Sequence, residues 1–380
     1  MQRETQIELI ERVLHLVNRR TTHMVEREAI LPIQRYLDPE RFQREGDLLF
    51  RRRPLITGHV SQLLSAGDFY THDATGLPLV VVRGRDNRVR AFLNVCRHRG
   101  MRVVDEACGN QNSLACPYHG WTYGLDGALA GLPHRYGFPN LDSAIMGLVE
   151  LPAEVCSGFV WVIPTAGTPL DLPAHLGSLS NDLAWLEIAK HTIYETRVID
   201  RALNWKLGFD VFLEGYHVRR THDATIAPVF LDNVGLYDSF SPHLRNLFPK
   251  RSIVELRGTD PAGWQLRQHA NVLYVIFPNT LLLVQPDHLS VLHSFPLAPD
   301  RTRTVAYTLI PEPATSDKAR RHWDANNALF YAAIDEDYAM GEAIQRGLAS
   351  GANTALTFGR FEQALTRFHQ AVDEAIDDAD

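Results

Sequence analysis

Residues 96–121 read CRHRGMRVVDEACGNQNSLACPYHGW. Cys96-x-His98 and Cys116-x-x-His119 stand seventeen residues apart, so the segment offers two thiolates and two imidazoles as matched pairs, each fit to be a loop tip. Structural zinc uses the same residue types, but its pairs are usually spelled Cys-x-x-Cys and His-x-x-x-His or close to it. Here each pair mixes Cys with His. A 2Fe-2S centre with two Cys on one iron and two His on the other requires this count, and inorganic sulfide completes each tetrahedron.

Arg99-Gly100 and Pro117-Tyr118 sit inside the loops, where a residue without a side chain and one with a locked φ let backbone N–H groups turn toward bridging sulfides. The words CRHRG (96–100) and CPYHGW (116–121) resemble the two ligand boxes of the Rieske family. The resemblance implies that Cys96, His98, Cys116 and His119 bind a Rieske 2Fe-2S cluster.

The chain of 380 residues is long enough for two domains, and 45% hydrophobic residues suffice for their cores. Its net charge of -7 is spread over both signs, which gives no footing for nucleic acid or an anionic membrane surface. The densest basic run, Arg51-Arg52-Arg53, reads as solvated surface. Cys108 and Cys156 have no framework for a disulfide and read as free thiols in a reducing compartment. No apolar run approaches membrane-spanning length, and the first thirty residues show neither an h-region nor a twin-arginine start, so a cytoplasmic protein is expected.

Apolar spacing at Ile7, Ile10, Val13, Leu14 and Val17 predicts a helix over residues 4–30. Leu77 to Arg83 and Arg88 to Leu93 flank Gly84-Arg85-Asp86-Asn87 as a hairpin leading to Cys96. A second hairpin turns at Asp126-Gly127, and Phe159 to Val162 reads as a closing strand. Breakers between Pro164 and Pro173 mark a boundary. Beyond it, a helix is expected over 204–218, an antiparallel meander over 272–284, 289–295 and 302–310, and helices over 317–349 and 358–377, with the acidic end 377–380 fraying. The expected organisation is therefore α+β: residues 1–32 a leading helix, 33–163 an antiparallel β cluster domain, and 164–380 a catalytic domain of sheet covered by helices.

A second constellation lies in residues 204–222, NWKLGFDVFLEGYHVRRTH. Glu214-x-x-His217 places a carboxylate and an imidazole within reach on a helix, whereas His222, five residues on, lies about 140° around it. Both His can reach one ion only if the helix ends or loosens near residues 218–221. A carboxylate would complete a 2-His-1-carboxylate iron site with open positions. Asp335, Glu336 and Asp337 all qualify by spacing, on a helix that Phe330, Ala333, Tyr338, Met340 and Ile344 mark as substantially buried.

Taken together, these boxes resemble the α (oxygenase) subunit of Rieske non-haem iron oxygenases over nearly the whole chain. The resemblance selects Asp337, because the family's acid stands eight residues ahead of a Gln-x-Gly element, here Gln345-Arg346-Gly347. It implies a helix-grip catalytic domain, a mononuclear Fe(II) held by His217, His222 and Asp337, and Glu214 as the bridge by which a neighbouring subunit's cluster delivers electrons. That transfer implies a ring of subunits, most simply a homotrimer. Many ring-dihydroxylating relatives carry Asp at the position of Glu214; Glu looks more like the monooxygenases of choline, betaine and carnitine. Val211 stands where relatives often carry Asn, and Phe209, Phe212 and Leu213 read as core before pocket.

No Gly-x-Gly-x-x-Gly element follows a strand, so electrons are expected from a separate NAD(P)H-dependent reductase, with or without a ferredoxin. The expected reaction uses O2 to hydroxylate or demethylate a small organic molecule, with cis-dihydroxylation of an aromatic ring as the alternative. A Rieske electron carrier would need no second metal, and a zinc-stabilised binding protein would be colourless.

Overall fold

The computed structural model describes residues 1–377; of the acidic end 377–380 expected to fray, Asp377 closes a helix, and Asp378, Ala379 and Asp380 lie outside the described residues. The chain forms two compact units, one of residues 50–175 and 187–190, the other of 1–49, 176–186 and 191–380.

The first unit is built from short antiparallel strands. The hairpin of Leu79–Arg83 and Val89–Leu93 turns at residues 84–88, with Asn87 at a φ of 64°. It is extended to five strands by Asp68–His72, Cys108–Asn110 and Glu150–Leu151. Thr122–Tyr123 pairs with Leu129–Gly131 across the Asp126-Gly127 turn and with Leu114–Ala115, while Phe159–Val162 sits central in a further three-stranded sheet. Cys96 and Cys116 are themselves core residues, packed with Phe69, Phe92, Trp121 and Tyr123. Burying such aromatic and aliphatic side chains contributes roughly 1.5–3 kcal/mol each, which holds the ligand loops on a rigid base.

The second unit is organised by a seven-stranded antiparallel sheet. Its strands are β1 (Thr192–Arg201), β2 (Leu236–Phe240), β3 (His243–Pro249), β4 (Ala270–Ile276), β5 (Thr280–Val284), β6 (Leu289–Ala298) and β7 (Arg301–Ile310). They lie in the order β1-β7-β6-β5-β4-β3-β2. Three main helices accompany them, α1 (Arg3–Asn18), α2 (Asp317–Ala349) and α3 (Gln363–Asp377). The helix α2 lies against the sheet, tied by Thr304 Oγ1 to Tyr338 at 3.0 Å and by Thr308 Oγ1 to Asn327 at 2.8 Å.

Several expected elements are shorter than their sequence pattern. The leading helix stops at Asn18, and Thr22 instead bonds the backbone of Gly235. Residues 29–32 form a strand with 355–358, so α3 begins at Gln363 rather than at 358. The helix expected over 204–218 breaks into single turns, Leu207–Asp210 and Val218–Thr221. The cause is local: the Glu214 carboxylate accepts the backbone N–H groups of Tyr216 and His217, offering them a partner other than a helical carbonyl. Met340 and Ile344 are 47% and 41% exposed, so α2 is buried along one stripe and not all round. Residues 33–49 pack within the second unit, where Tyr36 bonds Asp210 and Glu45 bonds Lys206.

Candidate active site

The two Cys-His loops share one backbone design. In the first, Cys96 N donates to Met101 O at 2.7 Å and Gly100 N to Cys96 O at 2.9 Å; in the second, Cys116 N donates to Trp121 O at 2.8 Å and Gly120 N to Cys116 O at 3.0 Å. Each loop closes on a glycine at positive φ, 75° for Gly100 and 69° for Gly120, a conformation a side chain would strain. The thiols are buried at the bases, and the rings of His98 and His119 meet at 4.7 Å. His98 also stacks on Trp121 at 4.9 Å, while His119 is exposed.

Burial pushes the Cys116 thiol up, so a thiolate there needs a metal to stabilise it. The Nδ1 of His98 is buried without a hydrogen-bond partner among the described residues, which suits a nitrogen facing a metal. These four residues fit a Cys2His2 cluster. Tyr123 was missed at sequence level: its hydroxyl accepts Arg97 N at 2.9 Å and lies 3.3 Å from Cys96 Sγ, where it is placed to donate. Its only sequence signal was its strand position two residues beyond Trp121.

In the second unit the single turn Val218–Thr221 carries His217 and His222 at its two ends. The helix therefore loosens on either side of the turn rather than within it, and the rings converge with Nε2 atoms 3.3 Å apart. Asp337, on the buried stripe of α2, places Oδ1 3.2 Å from His217 Nε2 and 2.8 Å from His222 Nε2. One ligand atom from each residue falls within 4.8 Å of the others, the only such group of His, Cys, Asp or Glu among the described residues.

The remaining ring nitrogens show which atoms are free to ligate. His217 Nδ1 donates to Glu214 Oε1, and His222 Nδ1 donates to Glu336 Oε2 at 2.7 Å. Both Nε2 lone pairs are thereby turned toward Asp337, the arrangement seen for metal-bound histidines held by outer carboxylates. Burial works to lower the His217 pKa, but the Asp337 and Glu214 carboxylates prevail and raise it to about 10. Burial likewise opposes, and Asp337 and Glu336 raise, the pKa of His222. A site this rich in negative charge suits a cation, and iron(II) would take the place of those protons.

The three consecutive acids of α2 thus have separate partners. Asp335 faces outward and pairs with Arg201, Glu336 holds His222 and Thr225 Oγ1 at 2.7 Å, and only Asp337 enters the triad. The second-layer place of Glu336 was missed at sequence level, where the three acids were equivalent by spacing. Gln345 of the Gln-x-Gly element is structural: its Oε1 accepts Asn204 N at 2.8 Å, tying α2 to the segment that leads into the triad.

The triad borders a cavity of about 310 Å³ between the sheet and α2. Its wall is mostly apolar, with Phe212, Phe230, Phe248, Leu273 and Leu283 prominent. Val211 and Phe212 line it, whereas Phe209 is fully buried and stacks on Phe368. The glutamate Glu214 is half-buried beside the same cavity.

The family model for the Rieske 2Fe-2S domain matches residues 54–142, and that for the ring hydroxylating alpha subunit (catalytic domain) matches residues 188–378. The carnitine monooxygenase oxygenase subunit of Escherichia coli (strain K12) is 28% identical over 84% of each chain. The biphenyl 2,3-dioxygenase subunit alpha of Rhodococcus jostii (strain RHA1) is 31% identical over 68% of this chain and 55% of its own. A crystal structure of the quaternary ammonium Rieske monooxygenase CntA shares the fold, with a TM-score of 0.81 at 23% identity over 92% of this chain and 96% of that one. No helix among the described residues is long and apolar enough to cross a membrane. With its cluster domain, its catalytic domain and the triad geometry in agreement, the chain belongs to the ring-hydroxylating alpha subunit family and is a Rieske non-haem iron oxygenase.

Proposed function

We propose that Cys96, His98, Cys116 and His119 hold the cluster, that His217, His222 and Asp337 hold the mononuclear iron, and that the enzyme hydroxylates or oxidatively demethylates a small organic molecule. The observation that carries this reading is the convergence of His217, His222 and Asp337 at the wall of an apolar cavity, with both outer imidazole nitrogens already bonded to carboxylates. When bound, the cluster held by Cys96, His98, Cys116 and His119 would supply single electrons, and the iron held by His217, His222 and Asp337 would supply open positions for O2 beside substrate. The protein's own part is to orient two Nε2 lone pairs, to present one carboxylate oxygen, and to keep water out with the phenylalanine and leucine wall.

Glu214 is the electron bridge in this reading, since its carboxylate already holds His217 and would meet a cluster histidine of a neighbouring subunit. The same role calls for a ring of subunits, most simply a homotrimer, fed by an NAD(P)H-dependent reductase directly or through a ferredoxin; we place the assembly in the cytoplasm. Inter-subunit electron transfer has been described for a quaternary ammonium Rieske monooxygenase of the same fold, which supports this role for Glu214. The apolar wall also suits cis-dihydroxylation of an aromatic ring, the second reading.

Iron analysis of Asp337→Ala tests the ligand assignment. We expect the loss of about one of the three irons per chain with the cluster spectrum unchanged. If the iron stays, and Glu336→Ala empties the site instead, the assignment is overturned.

A further inference from the structure

The cavity has two chemically different ends. Thr304, paired with Ser294, bonds Tyr338 beside Asp337; Thr308, paired with Ser290, bonds Asn327 a few turns back along α2. The triad therefore lies toward the Ser294 end of the sheet. At the other end, Lys250 follows β3, Asn271 is the second residue of β4, Gln285 follows β5 and Ser290 is the second residue of β6, neighbours across antiparallel strands. All four line the cavity, and so does Asn326 of α2. His322, one turn ahead of Asn326, bonds Asp287 at 2.9 Å and pins that part of α2 to the same sheet end. Eleven helical residues separate Asn326 from Asp337, about 16 Å of rise. With side chains projecting from both ends, a bound molecule has roughly 10–12 Å of length available, estimated from that rise.

The charges along this cavity are asymmetric. Its carboxylates are Glu214 and Asp337, both committed to the triad histidines. Among the described residues its wall contains neither Trp nor Tyr, the faces that best receive a quaternary ammonium. The remaining lining cation is Lys250, whose Nζ donates one long, exposed hydrogen bond to Gln268 O at 3.4 Å and keeps its other N–H groups for a ligand. Burial pulls the Lys250 ammonium below its usual value, opposed by Asp287, a carboxylate already bonded to His288 and His322. Beside it on the cavity wall, Asn271 Oδ1 is buried with no partner among the described residues, and turning the amide over would bring its Nδ2 donor to that position. An ammonium and an amide turned to present its Nδ2 at the end of an apolar slot are complementary to an anionic oxygen group.

Building on the oxygenase reading, we propose that Lys250 and Asn271 bind the carboxylate of an otherwise apolar acid, whose far end is presented to the His217, His222 and Asp337 triad. The substrate class is then an aryl or alicyclic carboxylic acid, and Lys250 is its specificity-determining residue. A quaternary ammonium end group would meet Lys250 as a like charge and find no uncommitted carboxylate among the described lining residues.

Calorimetric titration of the iron-loaded protein tests this with three probes on one biphenyl frame: biphenyl-4-carboxylate, its planar isostere biphenyl-4-carboxamide, and biphenyl-4-yltrimethylammonium. A charge-assisted contact predicts that the carboxylate binds about ten-fold or more tighter than either of the others. Lys250→Met is expected to erase the difference between carboxylate and amide while leaving iron per chain unchanged. Absence of carboxylate binding, an ammonium probe bound as tightly, or a preference that survives Lys250→Met would overturn the proposal. Any of these with the mononuclear iron present leaves the oxygenase reading standing, whereas protein that takes up no mononuclear iron refutes that reading instead.

Discussion

Glu214 does two things with one carboxylate: it breaks the helix that the spacing of residues 204–218 favours, and it fixes which nitrogen of His217 is free. Glu214→Gln keeps the shape, and its single amide oxygen can accept from His217 Nδ1 or from the backbone N–H groups but not from both; it carries no charge to couple His217 to an electron donor. The expected outcome is a protein with both metal centres intact and most reductase-driven turnover lost, seen by comparing iron content with O2 uptake; full turnover would remove the bridge. Glu336 acts on His222 from outside, so Glu336→Ala should weaken iron binding by about 10–100-fold without abolishing it, measured by chelator competition. At this scale the ligand residues were legible because a metal demands particular donors at particular spacings. Glu336 and Tyr123 were not, because a carboxylate or phenol that orients a ligand has no spacing of its own and is revealed only when α2 and the cluster hairpins are folded.

The loops and turns that hold these residues depend on buried polar ties between distant segments. Glu45, at the end of a short helix of residues 39–45, accepts Lys206 Nζ at 2.6 and 2.8 Å, Trp205 Nε1 at 2.8 Å and Arg41 Nε at 2.9 Å. Glu45 and Lys206 are almost fully buried, so removing one charge strands the other. Glu45→Gln should cost about 3–5 kcal/mol in urea unfolding, and Glu45→Leu combined with Lys206→Met should recover much of it. The elements follow the same logic of legibility. The sheet strands and α2 were readable because long periodic stretches record which face is buried. The ends of α1 and α3 were not, since Thr22 and Glu362 spend their side chains on the backbones of Gly235 and Gly359, contacts that periodicity does not contain.

For the molecule as a whole, one source of acid sensitivity lies in the cluster unit. Burial pushes His72 down to about 4, with Asp73 opposing, so the folded unit keeps this ring neutral while the unfolded chain protonates it near 6.5. Its contribution is fully present above pH 6.5 and is lost as pH falls toward 4, about 2 kcal/mol of it by pH 5. His72→Gln should flatten the dependence of the unfolding midpoint on pH across that window, and an unchanged slope would contradict the assignment. The division into a cluster unit and a triad unit predicts two metal centres of different kinds on one chain, and that is the account's central claim. Metal analysis and EPR of protein purified without oxygen test it most directly. We expect about three irons per chain, no stoichiometric zinc, and a rhombic signal on dithionite reduction, since the cluster holds two irons and the triad one. Colourless protein containing zinc would contradict both metal assignments at once.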